Sequence, residues 1–375
     1  MSLLPSDLDL DLSELEGRSF TCDPSCGLCC LCQPEVLPHE VSWFKSNHPR
    51  RIVETKRPHR HIALTLKEGQ GACTFLNASR RCEIYAQRPH YCRQFPFHLY
   101  LGKRVQVELD LSCRGVWYGG AEDALVEGGR MVQDNVDALR ETLTETRAVY
   151  RDFEANCRDA GIYRPEETLR REVGRRIEMF TELPYLAHVL DLSAEDEEMS
   201  MPGTPAATLD AAELQRSAME MGLESLAAED VFSAPVYCDP KWRWNLFLVK
   251  GGSMRWAFLN DDGSLDAAGD IDPTKVKLLS PEGEGRSIFL SYLRMLNRRD
   301  SMMGYAAYLV DDYGYEDFLG NTYYGVMATT ALDLLWRASL IAYLQGGRLD
   351  RAGMIEGIIS YDMDRLDAPT IGAFL

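Results

Sequence analysis

The chain has 375 residues, 45% apolar and 26% charged, with 40 Lys and Arg against 58 Asp and Glu. That composition excludes collagen-like, low-complexity and wholly disordered chains, and the length allows two or three domains with cores of their own. A net charge of −18 excludes a general nucleic-acid binder, because phosphate contacts need a basic surface.

Met1 to Gly17 alternates Leu with Asp and Glu and lacks the basic and apolar regions of a signal peptide. Residues 1–19 read as an acidic N-terminal tail. Residues 20–118 form a composition island, with 14 Lys and Arg against 8 Asp and Glu. Nine of the eleven cysteines and six of the seven histidines lie there. The Gly119-Gly120 pair marks the expected boundary between this basic module and an acidic body.

Residues 119–192 read as helical. Val132, Val136, Leu139, Leu143, Thr146, Tyr150, Phe153 and Cys157 recur at steps of four and three, one buried stripe that includes Cys157. A second helix is expected from Pro165 to Leu192. Residues 193–208 are acidic, contain Pro and Gly, and read as a linker. Residues 209–375 read as a mainly helical C-terminal domain, starting with a helix from Asp210 to Ala228. Two strands, Trp244–Val249 and Met254–Leu259, flank Gly251-Gly252, whose positive φ suits a tight hairpin. Cys238, just before them, is expected to be structural. From Ser287 onward the pattern is helical and rich in tyrosine. Its most apolar stretch, Val326 to Leu344, carries Asp333 and Arg337, a pair too costly for hydrocarbon, so no membrane span is expected. The fold class is therefore α+β, mainly helical: a small cysteine-rich module followed by a helical body containing a β-hairpin.

These features predict a cytoplasmic protein with no membrane or nucleic-acid partner. In that compartment thiols stay reduced and cysteine clusters signal metal or redox chemistry. The candidate ligands are Cys22, Cys26, Cys29, Cys30, Cys73, Cys82, Cys92 and Cys113, with Cys32 left over. Thiolates are soft anionic ligands suited to zinc or iron–sulfur clusters. Eight suffice for two four-thiolate sites, or for one cluster and one zinc. Cys29 and Cys30 point in different directions and are expected to serve different sites or the core. A metal-free cysteine core is the competing reading, weakened by so many soft ligands in one basic segment. Zinc favours paired C-x2-4-C knuckles. The irregular spacing here favours iron–sulfur, 4Fe-4S in type, with zinc as the alternative. Arg80, Arg81, Arg88, Arg93 and Arg114 would offset cluster charge.

Cys22-x3-Cys26-x2-Cys29-Cys30, Cys73-x-Phe75-Leu76 and Cys82-x-Ile84-Tyr85-x2-Arg88-Pro89-x2-Cys92-Arg93-x-Phe95-Pro96 resemble the YkgJ-type cysteine-cluster family of zinc- or iron-chelating domains. The resemblance covers Thr21 to about Trp117. It implies metal chelation by these cysteines, and it extends to flagellin lysine methylases that carry an iron–sulfur cluster. Two functions follow as expectations. One is a metal-cluster binding protein whose acidic body docks a protein partner or substrate. The alternative is a protein-lysine N-methylase dependent on S-adenosylmethionine, which rests on the resemblance alone because residues 119–375 show no methyl-donor motif. No catalytic or S-adenosylmethionine-binding residue is assigned. A radical enzyme built on C-x3-C-x2-C is a third, weaker reading, since strand–helix repeats for its barrel are missing.

Overall fold

The computed structural model describes residues 5–23, 25–56, 60–205, 210–229, 231, 233–366 and 368–375. The fold is α+β and mainly helical, with four small sheets among the described residues. The expected hairpin forms as Trp244–Lys250 and Ser253–Leu259, with Lys250 opposite Ser253 and Gly251 and Gly252 at φ 58° and 77°. Those two glycines make the two-residue turn that matches the twist of the strands. Val236–Cys238 and Leu265–Ile271 extend it to a four-stranded antiparallel sheet, here called the body sheet.

The expected helical stripe is carried by two helices. Ala124–Asp134 and Val136–Asp159 meet at Asn135, and Leu139, Leu143, Thr146, Tyr150, Phe153 and Cys157 are buried along the second. The stretch from Pro165 to Leu192 is likewise split into Glu166–Arg176, a short turn Met179–Thr181 and Leu183–Ser193. Pro184 starts the last of these, because a proline is tolerated in a first turn but not in a helix interior. Residues 194–205, from the stretch expected as a linker, lie against the body. Met199 is buried, its N–H donates to Asn321 Oδ1 at 2.9 Å, and the Tyr185 hydroxyl donates to the Pro202 carbonyl at 3.0 Å. Residues 206–208 of that stretch lie outside the described residues. The helix after it, Ala211–Leu226, is capped by Asp210, which accepts from the N–H groups of Ala212 and Glu213.

The C-terminal part contributes Glu284–Leu296, Asp300–Asp312, the long helix Leu319–Gln345 and Arg351–Ile359. Asp333 and Arg337 are buried in the long helix and pair at 3.4 Å. No helix among the described residues is long and apolar enough to cross a membrane.

The hairpin Phe97–Leu101 and Val105–Leu109 belongs by sequence to the cysteine-rich segment, yet its apolar side chains join the core of the body. Leu10–Asp11 pairs with it in parallel on one edge, and Ala373–Phe374 in antiparallel on the other. The chain's two ends thus flank one hairpin. A charged network holds this arrangement. Arg299, 1% exposed, lies 2.8 Å from Glu14, 3.1 Å from Asp362 and 3.7 Å from Glu108, and donates to the Leu109 carbonyl at 2.8 Å. The Ser301 hydroxyl donates to Glu108 at 2.7 Å and the Tyr292 hydroxyl to Asp362 at 2.7 Å. Burial raises the Glu108 carboxyl to about 7, against the pull of Arg299.

Removing one partner leaves buried charge uncompensated, which costs about 3–5 kcal/mol. Arg299→Ala should lower the urea midpoint accordingly without a change of slope. A carboxyl with a raised folded-state pKa binds more protons folded than unfolded. Glu108 therefore makes stability fall as pH rises from the ordinary carboxylate range, about 4.3, towards about 7. Stability curves of Glu108→Gln across that window should lack this decline, and an unchanged slope would refute the assignment.

Candidate metal centre

The cysteine loop begins where the strand Ser19–Phe20 ends. Asp23 organises it: the Ser25 N–H donates to its carboxylate at 2.8 Å and the Cys26 N–H to its carbonyl at 3.2 Å. Gly27 then takes a left-handed φ of 62° and opens the single turn Leu28–Cys30. A Cβ at Gly27 would sit 3.1 Å from the Trp244 ring and 3.3 Å from Leu76, so both backbone angle and space require glycine. The loop is tied to the second cysteine group by the Cys73 N–H, which donates to the Cys30 carbonyl at 2.8 Å. Cys82 lies in a bridge opposite Leu76, after a turn in which Asn77 Oδ1 accepts from Ser79 and Arg81.

Cys92 sits on the short helix His90–Gln94, which follows Pro89 directly. Glu40 steadies its start, accepting from the His90 N–H at 3.0 Å and pairing with Arg93 at 3.3 Å. Arg88 stacks on Tyr85, 3.8 Å from the ring centre, and donates to the Tyr85 carbonyl at 3.0 Å. Cys113 precedes the helix Arg114–Tyr118. Gly115 packs so closely on the Thr21 carbonyl that no Cβ fits there, which holds Cys113 beside the start of the cysteine loop.

All eight expected ligands, and Cys32 with them, line one cavity of about 540 Å³. Arg80, Arg81, Arg88 and Arg93 also line it, as do apolar side chains including Phe20, Leu28, Phe75, Leu76, Ile84 and Phe97. Cys22 and Cys32 are exposed, and Cys73 is buried. No histidine lines the cavity among the described residues. His98 lies instead 3.5 Å from Asp110, and the His90 ring packs edge-on to Tyr91. Among the described residues, no group of three or more His, Cys, Asp or Glu side chains is gathered tightly enough to hold a single metal ion. The sulfurs stand around a space, not around a point.

Burial raises Cys73 to about 11, and burial likewise lifts Cys92 and Cys113. Two thiols shift the other way: Cys29 is held down to about 7 by a hydrogen bond from Cys30 and by the charge of Arg88, and Cys26 is lowered by its hydrogen bond with Cys238. Thiols packed this way resist ionising together unless a metal takes the place of their protons.

The body supplies one more sulfur. Cys238 Sγ lies 4.0 Å from Cys26 Sγ. Sequence reasoning set Cys238 aside because the other cysteines are more than 80 positions away along the chain. The residues around it gave the available signal: Trp242 and Trp244 follow closely, and the Trp242 carbonyl and the Trp244 ring both receive Arg80 of the cysteine module. Cys157, by contrast, packs in the apolar core.

Residues 21–114 match the model of the CxxCxxCC family, described as a putative zinc- or iron-chelating domain. This agrees with the YkgJ-type resemblance and supports metal binding by the segment. No curated protein and no solved structure matches the chain. Ligation energy is folding energy in such a site. Cys82→Ser should therefore lose most of its bound metal by elemental analysis and unfold at a lower temperature, whereas Cys157→Ser should keep the wild-type metal content.

Proposed function

We propose that the cysteine module holds an iron–sulfur cluster, and that the acidic helical body presents it to a protein partner or substrate. The observation that carries this reading is the convergence of nine cysteines on a single cavity of about 540 Å³. That volume falls in the roughly 300–1,000 Å³ range of sites for small molecules and cofactors. One zinc ion with bonds of about 2.3 Å to four sulfurs would draw its ligands into a far smaller space. The donor set fits a polynuclear group: soft thiols from four separate segments, the cationic side chains of Arg80, Arg81, Arg88 and Arg93, and an apolar wall that limits water. When bound, such a group supplies electron transfer or an open iron. The chain's own residues hold it, neutralise its charge and set its exposure. Cys22 and Cys32, at the exposed side, mark where a partner would approach.

Protein purified without oxygen should be brown, with iron and acid-labile sulfide in comparable amounts. A colourless protein carrying stoichiometric zinc would replace the cluster with zinc, and a metal-free protein would end the reading altogether.

A further inference from the structure

We infer that Cys238 is a ligand of this metal centre, paired with Cys26, so that the site is closed by the body and not by the cysteine module alone. The inference rests on the reading that the module's thiols hold a metal. Two thiolates that share one metal atom of such a centre, at bonds of about 2.3 Å, lie about 3.8 Å from one another. Cys26 and Cys238, at 4.0 Å, already stand at that spacing.

Their backbones are cross-braced to keep it. Cys238 lies on the edge strand Val236–Cys238, opposite Trp244. The Trp244 indole N–H donates to the Cys26 carbonyl at 3.0 Å, so the partner strand of Cys238 grips the Cys26 loop. In the other direction, Arg114 Nε donates to the Cys238 carbonyl at 2.7 Å, and Arg114 is the neighbour of Cys113, another thiol of the cavity. The Arg114 guanidinium is fixed in turn by Glu356, which also accepts from the Tyr237 hydroxyl at 2.5 Å. A buried cysteine is ordinarily a small apolar filler, and Cys238 does belong to a buried apolar cluster with Leu28, Leu76 and Trp244. Here two thiols face each other across 212 positions of sequence at hydrogen-bond distance, with a backbone brace on each, an arrangement that a shared metal would use directly.

The matched family segment ends at residue 114, so Cys238 adds to the site from outside it. Metal binding should then lock the body sheet as well as the cysteine loop.

The test uses the full chain. Metal content and visible spectrum are compared for wild type, Cys238→Ser and Cys238→Ala, with metal-free unfolding as the control for folding. The expected result is more than about a hundredfold loss of metal affinity in both variants, beyond the roughly 10–100-fold that supporting residues around a ligand usually cost. Their metal-free forms should melt together with metal-free wild type. Wild type alone provides a second readout: removing the metal should speed hydrogen exchange in Val236–Cys238 and Trp244–Lys250. Variants that keep wild-type metal and spectrum, or body strands whose exchange ignores the metal, would overturn the role of Cys238 and leave the module's metal intact. Wild type without metal would overturn both. Loss of a thiol pair to a Cys26–Cys238 disulfide in the metal-loaded protein would also refute it.

Discussion

The guanidinium of Arg299, sealed from water among Glu14, Glu108 and Asp362, is the constraint on which the architecture depends. Its partners come from the N-terminal segment, the hairpin between Cys92 and Cys113, and the C-terminal segment. An ion group this dry adds little net stability over an apolar core of the same shape, because desolvation offsets attraction. What it supplies is register. A shift of any one segment would strand a charge in the interior, so the three can meet in only one way. The Leu109 N–H donates to Glu14 at 2.9 Å and the Leu111 N–H to Asp362 at 2.7 Å, which extends the same constraint to the backbone.

With the hairpin fixed, the cysteine segment is held at both ends: Phe20 enters the core on one side and Phe97 on the other, their rings 5.4 Å apart. The loops between them dock on the body sheet. Arg80 stacks 4.0 Å over Trp244 and pairs with Asp261 at 3.2 Å, while the Ala72 N–H donates to the Asp261 carbonyl at 2.8 Å. Gly71 lies flat against Asp261 and Asp262, where a Cβ would clash. The acidic turn of the body therefore receives the basic module directly. The charge contrast seen along the sequence becomes contact across one interface.

Much of this was legible from residue types. Thiol spacing named the eight candidate ligands, and all of them reach the cavity, because soft ligands crowded into a basic segment have few other uses. Gly251-Gly252 placed the body hairpin, since few residues other than glycine tolerate two successive positive φ angles. The stripe from Val132 to Cys157 marked a buried helical face but hid the break at Asn135, because period alone does not register a one-residue interruption.

Local chemistry alone determined the donors: which side chains are soft, which glycines turn the chain, which faces are apolar. Only the tertiary structure decided that Phe97–Leu109 packs with the body, that Arg299 joins three distant carboxylates, and that Cys238 meets Cys26. The contacts of Arg299 with Glu14 and Leu109, and of Cys238 with Cys26, each join residues more than 180 positions apart, and no periodicity or spacing rule reaches that far. They follow from which buried charges and sulfurs must find partners once the cores have formed.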